Sequence, residues 1–314
     1  MDEFRRRLMM TPKSSEIDYE NYLTIEALED GLEVSFTNDL YYNKDGEWVL
    51  LSAGNSTPQI ASGEKIAFKG ELTPESLYGV GTFTITKKCN LLGNCMSLLF
   101  GDNAKDVVSL SGYNYAFGRL FMDCDSIVSV SESFLPATTL SNFCYYYMFY
   151  GCSNMTTHPA LPAKIMMEGC YYCMFSYCIA FEDTPALPAT TLAPQCYSRM
   201  FSWDTGLVFY PPELPATTLA KQCYEYMFSY CSKLRKSPIL PADILVTQCY
   251  RSMFQNCSSM INITMLATDI SASGCLSGWV SGVASSGTFT KSKKATWDVT
   301  GTSGIPSGWT VKTA

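Results

Sequence analysis

Histidine is all but missing: His158 is the only one in 314 residues. Charge is scarce too, at 16% Asp, Glu, Lys and Arg, well under the usual quarter. No run of eighteen apolar residues occurs, so no membrane-spanning helix is expected. Beyond Arg5, Arg6 and Arg7 there is no basic cluster, which argues against a nucleic-acid groove. Residues 1–10 run into polar Thr11-Pro12-Lys13 without an apolar core, so no signal peptide is expected. No P-loop, GxSxG, HExxH or EF-hand pattern occurs. Asp39, Asp45, Asp102, Asp123 and Asp125 are scattered and read as turns and surface, not as a glycosidase pair. No catalysis, cofactor or metal is expected.

What fills the gap is Tyr, Thr, Ser and Cys. Net charge is −7 but uneven: residues 1–132 carry 20 acidic against 11 basic side chains, and residues 133–314 carry 9 against 11. A chain of this length is long for one core, so two or more units are expected.

The phrase Cys-Tyr-x-x-Met-Phe occurs five times, opening at Cys144, Cys170, Cys196, Cys223 and Cys249, at intervals of 26, 26, 27 and 26 residues. Each copy follows a Leu-Pro-Ala that begins at Leu135, Leu161, Leu187, Leu214 or Leu240. A fixed period in the twenties marks a solenoid, in which each unit buries its apolar face only against its neighbours. On a helix at ~100° per residue the repeated residues fill one arc and the variable ones the other. The phrase therefore predicts a short helix. Pro-x-Leu-Pro-Ala cannot lie inside a helix and reads as an extended rung.

A second Cys closes most units, at Cys152, Cys178, Cys231 and Cys257, but Asp204 takes that place in the middle one. Regular disulfide pairing would orphan Cys196, so a ladder of buried, reduced thiols is expected. The lone CxxC at Cys170 and Cys173 is a weaker alternative as a metal site. His158 stands in a slot taken by Thr184, Pro211 and Ser237 in later units, which makes it a variable, solvent-facing residue.

Upstream the pattern changes to short alternating runs such as 22–28, 32–36, 48–51, 65–69 and 81–85, parted by turn residues Asp30-Gly31, Asp45-Gly46 and Ser62-Gly63. This predicts a small antiparallel β sandwich. The expected layout is an extension at 1–18, a β domain at 19–86, a transition and capping repeat at 87–134, the solenoid at 135–284, and a short β cap at 285–314.

The unit Met148-Phe149-x-x-Cys152-x-x-Met155 followed by Pro-x-Leu-Pro-Ala resembles the BspA-like (Treponema pallidum type) leucine-rich repeat, over roughly residues 109–280. The added Cys-Tyr, the doubled proline and the longer unit depart from it. The whole layout also resembles proteins of Bacteroidales phages and prophages, crAss-like phages included. The shared features are the Phe4-Arg5-Arg6-Arg7 opening, Ser62-Gly-Glu-Lys-Ile, and a Gly304-Ile-Pro-Ser-Gly-Trp-Thr-Val311 ending. These resemblances imply a mixed α/β leucine-rich-repeat-like solenoid in a virion-associated fibre or host-recognition protein.

Phe4, Arg5, Arg6 and Arg7 are then the candidate docking residues toward other virion proteins. Tyr147, Tyr177, Trp203, Tyr226, Tyr230, Arg199 and Arg251, on the variable face, are the candidate contacts to a host-surface glycan or protein. Packing of those rings on adjacent rungs or subunits is the alternative. A homo-oligomer, a trimer among the options, follows from the fibre reading. A bacterial surface adhesin and a cytoplasmic interaction scaffold stay open as other classes.

Overall fold

The computed structural model describes residues 17–74, 79–208 and 211–314. The alternating runs near the start form strands β1 (Leu23–Ala27), β2 (Val34–Phe36), β4 (Trp48–Leu51), β5 (Lys65–Lys69) and β6 (Phe83–Ile85) as expected, and two strands outside those runs, β3 (Leu40–Asn43) and β7 (Cys89–Gly93), join them. One sheet has the order β4-β3-β5-β1-β7-β8, where β8 is Ile127–Val130. It is antiparallel up to β7. The pair β2-β6 forms a second, smaller sheet. The two layers meet through apolar rings: Phe83, paired with Phe36 across β2-β6, lies 5.4 Å from Phe68 of β5.

This sheet does not stop at residue 86. β7 pairs in parallel with β8, and β8 lies in the first turns of the solenoid. A four-residue helix, α1 (Ser97–Phe100), lies between them. At the other end β9 (Lys236–Leu240), β10 (Asn262–Met265), β11 (Thr288–Lys291) and β12 (Thr310–Thr313) form one parallel sheet in chain order. The segment expected to be a short β cap supplies two strands, β11 and β12, to this sheet. In the rungs between the two sheets, Pro185, Pro188, Pro211, Pro212 and Pro215 supply no N–H for a ladder.

The chain is a solenoid, but the Cys-Tyr-x-x-Met-Phe phrase is not a helix. It is a chain of tight turns. Alternate N–H groups close four-residue turns, as from Tyr146 to the Phe143 carbonyl (3.1 Å) and from Met148 to that of Tyr145 (3.2 Å). The intervening ones donate to the next rung, as from Tyr145 to the Cys170 carbonyl (3.0 Å) and from Tyr147 to that of Tyr172 (3.0 Å). Every fourth residue is left-handed: Phe143 (φ 55°), Tyr147 (56°) and Gly151 (75°) in one rung, Gln195 (56°), Arg199 (58°) and Trp203 (69°) two rungs on. A period of four turns Cys, Tyr, Met, Phe and the second Cys inward together and the pairs between them outward.

The inward residues stack in columns along the solenoid. Phe117, Tyr145, Tyr171, Tyr197, Tyr224 and Tyr250 form one, with centroids 5.6–5.9 Å apart. A second runs Phe83, Phe121, Phe149, Phe175, Phe201, Phe228, Phe254 and Trp279. Phe83 comes from β6, so the β domain supplies the first ring of the solenoid core.

The thiols form two more columns. Cys95, Cys144, Cys170, Cys196, Cys223, Cys249 and Cys275 neighbour one another in that order. So do Cys89, Cys124, Cys152, Cys178, Asp204, Cys231 and Cys257. All fourteen cysteines are free and buried. Only Cys173 stands outside the columns. Buried thiols of this kind behave as small hydrophobes with a weak donor, and several donate to a carbonyl of an earlier rung, as Cys178 does to Phe149 at 3.1 Å.

Candidate functional site

The outward positions of the turn ribbon bring the sequence-predicted contact residues of the solenoid onto one face. Tyr177, Trp203 and Tyr230 occupy the same place in successive rungs, a place that Gly151 takes in the rung before them. Tyr177 and Trp203 lie 5.5 Å apart and 7° from parallel, and Trp203 and Tyr230 lie 3.7 Å apart and 6° from parallel. Tyr150 leans on Tyr177 at 5.3 Å with a 60° tilt. A neighbouring cluster joins Tyr146, Tyr147 and Tyr172, with Tyr147 4.4 Å from Tyr146 and 5.8 Å from Tyr172. Burial, with Cys173 beside it, pushes the Tyr147 hydroxyl above its ordinary pKa. Cys173 is itself pushed up to about 12 by burial.

The charged members pack on the same rings. The Arg199 guanidinium lies 4.1 Å from the Tyr226 centroid, and that of Arg251 5.8 Å from it. Arg251 also pairs with Glu225 at 3.3 Å, and Glu225 accepts from Gln222 at 3.1 Å. All seven candidate contact residues therefore lie on one face, but most are half-buried. Only Tyr177 and Trp203 are exposed, at 37% and 38%.

This geometry limits the chemistry. Rings stacked face to face along the solenoid present their edges and hydroxyls to solvent. The flat faces of Tyr177 and Trp203 are covered by their neighbours. The stripe can offer hydroxyl groups, ring edges and the Arg199 and Arg251 cations, and it offers no row of open aromatic platforms. The packing of these rings on adjacent rungs, open in the sequence, is what the structure contains. Phe4, Arg5, Arg6 and Arg7 lie outside the described residues.

His158 is half-buried. It lines a groove with Glu132, Pro162, Pro185 and Pro188. Its Nε2 faces Asp183 at 3.4 Å, its Nδ1 lies 3.4 Å from the Pro159 carbonyl, and its ring meets the Phe181 edge at 5.9 Å. A second, larger groove of about 580 Å³ runs along Pro212, Pro215, Pro238 and Pro241, beside exposed Ile239. Among the described residues no group of three or more His, Cys, Asp or Glu is placed to hold a metal ion, and no helix is long and apolar enough to cross a membrane.

Sequence reasoning passed over one polar cluster, because its members are far apart along the chain. Tyr22, Trp48, Lys69 and Asp102 meet on the open face of the six-stranded sheet. The Lys69 ammonium donates to both Asp102 oxygens at 2.7 Å, and the Tyr22 hydroxyl donates to Oδ1 at 2.8 Å. In comparisons with known proteins, no protein-family model, no curated protein and no solved structure matches the chain.

Proposed function

We propose that the protein is a virion-associated structural or fibre protein of a phage, joined to the particle through its N-terminal region and presenting its solenoid for recognition of a host-surface glycan or protein. The observation that carries this reading is the shared sheet: β7 and β8 hydrogen-bond the β domain to the solenoid, so that a load or an orientation set at one end is passed to the other. A stack with neighbour-only contacts also suits a presenting rod better than a catalytic cleft. Recognition by the solenoid would use hydroxyls, ring edges and the two arginines around Tyr226, which fits polar, wet contacts. The likeness to BspA-like leucine-rich repeats belongs to the same proposal, restricted to the repeat spacing because the helical part of that unit is replaced by turns. Assembly as a homo-oligomer would add avidity to weak single sites.

The test is to purify particles produced by the genome that carries the gene, digest them for peptide mass spectrometry, and label intact particles with an antibody to the full chain. The reading expects peptides in stoichiometric amounts and label at one fixed location. Particles free of the chain, with the protein found in host membrane or cytosolic fractions, would replace it by the adhesin or scaffold reading.

A further inference from the structure

The Lys69–Asp102 pair forms part of a cleft of about 350 Å³ on the β domain, whose other walls are Tyr41, Trp48, Glu71 and Gly101. Tyr41 on β3 sits directly across from Lys69 on β5, so both project on the same face of the sheet. Trp48 is held by Tyr22, ring edge to face at 4.8 Å, and by the Lys69 ammonium 4.3 Å from its centroid. Tyr41 is 46% exposed. Two aromatic side chains thus border a small polar centre.

That centre is rigid and incompletely used. Hydrogen bonding from Lys69, with help from Tyr22, holds the Asp102 carboxyl below the usual carboxylate range, so it is a fixed acceptor. Its side chain is 63% exposed while that of Lys69 is 17% exposed. Oδ1 accepts from both Tyr22 and Lys69, whereas Oδ2 accepts from Lys69 alone, leaving lone pairs open to solvent. The ammonium has three N–H donors and Asp102 takes two. Glu71 brings a second carboxylate to the rim, beside Gly101.

The ligand class follows by elimination. A cationic ligand would meet the Lys69 ammonium already lying on the indole. An anion would face Asp102 and Glu71. A neutral ligand with adjacent hydroxyls meets neither penalty: one hydroxyl donates to Asp102 Oδ2 while its neighbour accepts from Lys69, and an apolar C–H face rests on the aromatic wall. We infer that this cleft is a binding site for a neutral pyranose, in which the Lys69–Asp102 pair clasps two neighbouring hydroxyls, exposed Tyr41 supports the ring, and Trp48 forms the wall that fixes Lys69. The inference is independent of the virion reading and of the aromatic stripe on the solenoid.

The experiment is a protein-observed NMR titration of the full chain with methyl glycosides of glucose, galactose and mannose and with N-acetylglucosamine. Choline and acetate are the charged comparison probes. At least one sugar is expected to shift the Trp48 indole N–H saturably, with binding weakened about tenfold or more by Asp102→Asn and by Tyr41→Ala. Both residues are exposed enough for their variants to keep the fold, which circular dichroism checks. Ile165→Ala, on the solenoid, is expected to leave binding unchanged. Saturation by none of the sugars, preference for choline or acetate, or sugar binding that survives both cleft variants would each overturn the proposal.

Discussion

Asp204 is the residue most out of keeping with its surroundings. It is fully buried in a column of thiols, between Cys178 and Cys231, and neither carboxyl oxygen has a hydrogen-bond partner. Burial pushes its pKa well above the usual carboxylate range; the nearby Cys178 N–H opposes this only weakly, because it donates to the Phe175 carbonyl at 3.1 Å. The groups facing it from the adjacent rungs are thiols, which leaves no cation to hold the ionised form. Neighbouring members of the column donate to carbonyls of earlier rungs, Cys178 to Phe149 and Cys231 to Phe201. A protonated carboxyl can fill the same role. The linkage has a definite sign. The folded pKa is raised above an unfolded value of about 4, so stability is fully present below pH ~4 and declines as pH rises toward the folded pKa, by up to ~1.4 kcal/mol per pH unit. Asp204→Cys is therefore expected to be the more stable protein at pH 8, with its advantage shrinking as pH falls toward 4. Urea unfolding across that range measures it. An advantage that stays constant with pH would mean that Asp204 is ionised in the fold.

At the scale of the element, the turn ribbon explains both what the sequence disclosed and what it concealed. The 26-residue period, the inward Cys, Tyr, Met and Phe, and the reduced thiol ladder were legible, because each depends only on which residues recur. The helix was not, because a period of 3.6 and a period of 4 both gather the same five residues on one side over nine positions. Two signals could have separated them. Cys recurs at an eight-residue interval, which is two turns of four but leaves about 80° of mismatch on a helix. Gly274, Gly278 and Gly282 fall at four-residue spacing, and all three are left-handed, with φ of 62°, 63° and 77°. Glycine marks such positions because it has no Cβ to strain. Elsewhere non-glycine residues such as Gln195 and Arg199 take the same conformation, at a cost of order 1–3 kcal/mol each, offset by the bonds between rungs and the buried columns. The equivalent Gly169 lies under the Phe143 ring, which a Cβ would strike, whereas a Cβ at Gly278 would meet only the Ser252 hydroxyl, at 3.4 Å. Gly278→Ala is expected to cost ~1 kcal/mol from backbone strain, and Gly169→Ala ~1–3 kcal/mol more from overpacking. Denaturant midpoints with unchanged slopes decide between them; equal losses would remove Phe143 as the source.

For the whole molecule, the join between β domain and solenoid matters more than either part. The antiparallel strands were readable from alternation, but their pairing with β8 was not, since no local pattern reports a parallel partner 38 residues away, as Cys89 has in Ile127. The cleft was hidden for the same reason, with Tyr22 and Asp102 80 residues apart. The join has two strands of evidence: the β7–β8 ladder, and Phe83 stacked 5.3 Å from Phe121 at the head of the aromatic column. Phe83 is 2% exposed and also touches Phe36 and Phe68. Phe83→Ala should therefore cost ~3–5 kcal/mol, and the effect should not stay in the β domain. In a stack where each rung contacts only its neighbours, a loss at one end propagates with decreasing force. Hydrogen exchange on the variant is expected to show the largest loss of protection at the amides of Phe121 and its rung, less at Phe149, and least at Phe254. These amides donate between rungs, as Phe121 does to the Met148 carbonyl at 2.9 Å, so their exchange reports rung separation directly. A uniform loss along the column would mean that the solenoid and the β domain open as one cooperative unit. No change at Phe121 would mean that the shared sheet alone holds the join and the ring column carries no coupling across it.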